Sequence, residues 1–73
     1  MNYWDVYTHN NDFKQSIAAG ENTPDIIDDG KKLIQEIDEL IEEKLEENEV
    51  AAVGLLGMIK ERRLADLNKL IGS

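Results

Sequence analysis

Residues 23–47, TPDIIDDGKKLIQEIDELIEEKLEE, decide the fold of this chain. Thr23 is an N-cap residue type, and Pro24 suits the first helical position. Asp25, Asp28 and Asp29 follow where the positive end of a helix dipole favours carboxylates. Beyond this start Ile27, Gly30, Ile34, Ile37, Ile41 and Leu45 keep helical spacing, and Ile26, Leu33 and Leu40 widen the stripe. Three apolar positions per heptad suit the face of a globular bundle better than the narrower seam of a two-stranded coiled coil. The spacing predicts a helix over about 24–47, roughly 35 Å long.

Asn48 interrupts this pattern, and a second long run begins at Glu49. Its stripe is Val53, Leu56, Leu64, Leu67 and Ile71, flanked by Ala52, Ile59 and Leu70. So short a connection makes the two helices antiparallel neighbours. Upstream, all four aromatic residues, Tyr3, Trp4, Tyr7 and Phe13, fall within the first 13 positions. Rings of this size usually anchor packing in a small protein, the alternative being an exposed arm that binds a partner. Asn10, Asn11 and Asp12 are cap-forming residues, Asp12 and Gln15 have capping-box spacing, Phe13 and Ile17 stand four apart, and Gly20 suits a C-terminal stop. A short helix over about 12–19 is predicted, with His9 as a solvated loop residue ahead of it.

The expected fold is therefore all-α. An antiparallel helical hairpin (about 24–47 and 49–71) is joined by a short N-terminal helix and an aromatic N-terminal segment packed across it. The 73 residues form one small domain, residues 1–22 making the aromatic segment and 23–73 the hairpin.

Composition excludes several function classes. Sixteen acidic against eight basic residues give a net charge of −8, the wrong sign for direct nucleic-acid binding, which needs a basic footprint. Without cysteine there are neither disulfides nor thiolate metal sites, and one histidine does not make a histidine-based centre. The longest uncharged apolar run, residues 50–59, is about half a membrane span. The start MNYWDVYTHNND has no basic region or apolar core of an export signal, so no membrane association and a cytoplasmic location are expected.

Motifs for chemistry are weak. DIIDDGKKLIQE imitates a calcium loop, with Asp25, Asp29, Gly30 and Glu36 at positions 1, 5, 6 and 12. However, position 3 is Ile27, and the segment continues a helical stripe. No metal or cofactor is expected. Carboxylate pairs such as Asp28/Asp29 and Glu42/Glu43 lack a desolvated cleft to separate their pKa values, and no nucleophile constellation is present. The chain is read as a non-enzyme. Gln35, Glu36, Ile37 and Asp38 resemble the Q-E-L-D core of small helical-hairpin phosphatases that act on sporulation response regulators. Ile34 replaces the serine that precedes this core in that family, and no function is carried across.

Charge is segregated: residues 21–49 hold 12 acids and 3 lysines, and EIDELIEEKLEENE, residues 36–49, holds eight acids and one lysine. The plain reading is a solvated helix face. The functional reading is a docking surface for a protein with a basic surface, attraction at long range speeding the encounter. Its extreme form is mimicry of the DNA backbone, for which small acidic inhibitors of phages and mobile elements are an analogy. The basic residues Lys60, Arg62, Arg63 and Lys69 would pair within the hairpin with Glu36, Asp28 and Asp29.

The uncharged stretch VAAVGLLGMI, residues 50–59, would lie beside this acidic segment. Gly54 and Gly57 each cost a helix about 1 kcal/mol relative to alanine, which suggests close approach by a ring such as Trp4 or Tyr7, by a second copy, or by another protein. The candidate partner-binding residues are Glu39, Glu42, Glu43, Glu46, Glu47, Leu55 and Met58, with Trp4, Gly54 and Gly57 as a close-packing set. The expected function is an acidic protein-binding or inhibitor module. The alternative is a homodimer or larger homo-oligomer that self-associates through residues 50–59.

Overall fold

The computed structural model describes residues 2–72, which form three α-helices: α1 (Tyr3–Ala18), α2 (Pro24–Glu46) and α3 (Val50–Gly72). The bundle measures 38 × 20 × 16 Å. α1 and α3 both pack on α2. Thr23 caps α2 as the sequence implies, its hydroxyl accepting from the Ile26 amide at 3.3 Å, with Pro24 in the first turn.

α1 is twice as long as the predicted 12–19 helix and starts at Tyr3, not at Asp12. The cap is Asn2, whose side-chain oxygen accepts from the Asp5 amide at 2.9 Å. Asn10, Asn11 and Asp12 are helix interior. His9 and Asn10 lie on the flank that meets the other helices, so they break the apolar stripe in sequence without breaking the helix in space.

Two turns of the same kind connect the helices. After α1, Gly20 (φ 82°) donates to Ile17 and Glu21 to Ser16. After α2, Asn48 (φ 59°) donates to Leu45 and Glu49 to Lys44. Each is a Schellman closure, in which a left-handed residue lets two amides return to carbonyls of the last helical turn. Glycine and asparagine are the residue types that adopt this conformation at least cost. Because Asp38 meets Lys60 and Gly30 meets Leu67, α2 and α3 run in opposite directions.

The core consists of Val6 and Phe13 from α1, Leu33, Ile37 and Leu40 from α2, and Leu56 and Leu67 from α3. Its centre is rotated from the predicted stripes. Ile27, Ile34 and Ile41 are only half-buried, while Leu45, Leu64 and Ile71 are exposed. α1 causes the rotation: a hairpin alone would bury the line between α2 and α3, whereas a third helix draws the core toward the Leu33–Leu40 side. Gly30 is the point of closest approach. A methyl group there would stand 2.5 Å from Leu67 Cδ2 and 2.7 Å from Phe13 Cζ.

The expectation that a ring of this chain, Trp4 or Tyr7, packs on Gly54 and Gly57 is corrected by the structure. Trp4 is 77% exposed, and a methyl at either glycine would have nothing within 4 Å among the described residues. Phe13 and Gly30 make the ring-on-glycine contact instead. Gly54→Ala and Gly57→Ala are therefore each expected to raise stability by about 0.5–1 kcal/mol through helix propensity. Gly30→Ala is expected to lower it, since overpacking costs about 1–3 kcal/mol and exceeds the same propensity gain. Urea denaturation of the three variants checks this, and a shift of the same sign in all three contradicts it.

Candidate functional site

Three of the acidic candidates, Glu39, Glu42 and Glu46, fall on the back of α2, while Glu43 lies on its flank and Glu47 is its C-cap. At about 100° per residue, Glu42 lies about 180° from Leu33, and Glu46 about 180° from Ile37, so both point away from the core. Glu39 shares this outer face, and Glu39, Glu42, Glu43, Glu46 and Glu47 are all exposed. Glu39, Glu42 and Glu46 rise along the helix over about 10 Å. Among the described residues no cation comes within ion-pair distance of these three, and no lysine or arginine stands three or four residues from any of them. Lys60 Nζ pairs with Asp38 Oδ1 at 2.6 Å. Lys44 Nζ donates to Glu47 Oε2 at 2.9 Å, lies 3.5 Å from Glu49 Oε2, and sits 4.7 Å above the Tyr3 ring centroid. The hydrogen bond to Glu47 is the main reason that Lys44 holds its proton above the ordinary lysine range.

The apolar candidates are exposed but do not join this ridge. Met58 is 63% and Leu55 49% exposed. Met58 lies about 180° from the buried Leu67 and so points off the back of α3, while Leu55 lies on its flank. Since α2 and α3 face each other through their buried stripes, the glutamate ridge and Met58 point in opposite directions. A single flat partner surface does not cover both. Apolar neighbours for the acids are found instead at the turn, where Leu45 is 56% and Val50 78% exposed beside Glu46 and Glu47. The sequence pattern hid Leu45, because it continues the predicted core stripe to the end of α2.

The intramolecular pairs also differ from expectation. Glu36 and Asp29 engage His9 rather than the basic cluster. His9 Nδ1 lies 2.7 Å from Glu36 Oε1 and Nε2 2.9 Å from Asp29 Oδ1, both within hydrogen-bond distance. His9 is thus a bridge between α1 and α2 with a largely covered side chain, not a solvated loop residue. Burial pulls its pKa down, but hydrogen bonds to Glu36 and Asp29, aided by their charges, outweigh it and hold the pKa above the usual histidine value. The calcium-loop imitation is resolved the same way, since residues 25–36 are helical and two of its acids face this imidazole.

Arg63 is buried in α3. Its Nη1 donates to Asn10 Oδ1 at 3.3 Å, and its Nε lies 3.3 Å from Asp66 Oδ2. The Nε contact is electrostatic, without the alignment of a hydrogen bond. Asn10 thereby links α1 to α3 across the core.

Among the described residues no group of three or more metal-binding side chains converges, and no helix is long and apolar enough to cross a membrane. No family model, curated protein or solved structure matches the chain.

Proposed function

We propose that the chain is a non-enzymatic binding module that docks an acidic ridge onto the basic surface of another protein, in the manner of an inhibitor occupying a nucleic-acid groove. The hairpin of α2 and α3, with α1 laid across it, is the rigid scaffold. The ridge is Glu39, Glu42 and Glu46, bordered toward the turn by Glu43 and by Glu47, which is paired with Lys44, with Leu45 and Val50 as adjoining apolar contacts. The supporting observation is that Glu39, Glu42 and Glu46 stand exposed on one face while Lys44 and Lys60 are engaged with other acids. Charge left unneutralised along a rigid edge raises the rate and selectivity of encounter with an opposite field.

A second reading has its own support. Leu55 and Met58 are exposed beside two glycines with open space, a surface that a second copy of α3 would fill. Sedimentation equilibrium from about 1 to 500 µM separates the two readings. The docking reading expects the 8.3 kDa monomer throughout. A stable dimer that protects Leu55 and Met58 would favour self-association and count against it.

A further inference from the structure

We propose that His9 is a proton-operated clasp between α1 and α2, holding α1 firmly on the hairpin when the ring is charged and loosening it when the ring is neutral. The ring has a carboxylate at each nitrogen, 2.7 Å from Nδ1 and 2.9 Å from Nε2. Carboxylates at neutral pH only accept, so both bonds require a proton on both nitrogens. A neutral ring carries one. Its other nitrogen then turns a lone pair toward an acid, and one carboxylate in a half-covered seam loses its donor.

Among the described residues, the other attachments of α1 do not titrate near neutrality. Val6 and Phe13 bury apolar side chains in the core, Asn10 accepts from Arg63, and Tyr3 lies beneath Lys44. His9 is the one histidine in the chain. α2 presents Asp29 and Glu36 to it, with Lys32 exposed between them in the same stripe, and on α1 the acids one turn away are Asp5 and Asp12, both exposed. α3 brings Arg63 to the neighbouring Asn10, where Arg63 is already paired with Asp66. The two carboxylates therefore dominate, and both favour the charged ring. The contribution to docking is complete below the ordinary histidine pKa and fades as pH rises through the elevated folded value. Loosening α1 uncovers the apolar surface that Val6 and Phe13 complete, so the clasp ties access to that surface to pH.

Hydrogen exchange on the full chain, normalised to intrinsic rates, tests this between about pH 5.5 and 8.5. Amide protection in α1 is expected to fall about threefold or more across that range, while protection at Leu56 and Leu67 in α3 holds. His9→Gln should remove the pH dependence, which also excludes the α-amino group as its source. Asp29→Asn and Glu36→Gln, which each remove one of the two carboxylate charges and keep the side-chain shape, should reduce it. NMR titration of the ring should give a midpoint above 6.5. Flat protection in α1, an equal fall in all three helices, an undiminished fall in His9→Gln, or a midpoint at or below 6.5 would each overturn the clasp.

Discussion

Replacing Phe13 with alanine is expected to cost about 3–5 kcal/mol of folding stability. That is comparable to the whole stability of a small domain, at about 0.05–0.15 kcal/mol per residue. Phe13 is fully buried and is the largest side chain in the core. Its ring lies against Gly30, which has no side chain that could swing into the space left behind. The cavity therefore collapses poorly, the circumstance in which truncation is most damaging. α1 would suffer first, because Val6 is the only other α1 residue in the buried core cluster.

The pairing with Gly30 gives this prediction a second part. In the natural background an alanine at residue 30 collides with both Phe13 and Leu67, whereas in Phe13→Ala the collision with the ring is gone. Gly30→Ala should then become less harmful by about 0.5–3 kcal/mol, the range of coupling between residues in direct contact. Urea denaturation of the two single variants and the double variant measures both parts. A loss below about 1 kcal/mol for Phe13→Ala, typical of an ordinary substitution, would contradict the placement of its ring.

The elements legible in the sequence were those governed by neighbours along the chain. Thr23 and Pro24 mark the start of α2, and Asn48 marks the reversal before α3. Elements governed by distant partners were hidden. His9 and Asn10 look like loop residues until Asp29, Glu36 and Arg63 are placed opposite them, so the first turns of α1 could not be read from periodicity. Asn2, with Asp5 three residues later, was the local signal available. Arg63 is a similar case: a cation in a basic cluster reads as surface, and only Asn10 and Asp66 explain its burial.

The candidate site was legible in the same partial way. Exposure of the glutamates follows from an amphipathic helix, and the structure places Glu39, Glu42 and Glu46 on its outer face. The direction of Met58 relative to that face depends on how two helices are rotated against each other, and α1 sets the rotation. Gly30 and Gly54 illustrate the limit most clearly. Both are glycines within helices, yet one faces an aromatic ring and the other open space.

Removing charge from the ridge is the second change with a large expected effect, and here location rather than quantity matters. Glu39→Gln, Glu42→Gln and Glu46→Gln together remove three charges from the back of α2. Asp12→Asn, Glu21→Gln and Glu61→Gln remove three from other exposed positions. Both sets change the net charge equally, so long-range attraction to a polycation weakens by a similar amount in each. Only the first set removes short-range pairing at the proposed docking edge.

The decisive measurement is the affinity of these two triple variants and the natural chain for a panel of folded, basic DNA-binding domains, with duplex DNA as competitor. The natural chain is expected to bind at least one domain, to be displaced by DNA, and to weaken as salt rises. The ridge variant should bind that domain about tenfold or more weakly, while the control variant stays within about twofold of the natural chain. Equal losses in the two variants, or no domain bound by the natural chain, would contradict a docking role for Glu39, Glu42 and Glu46.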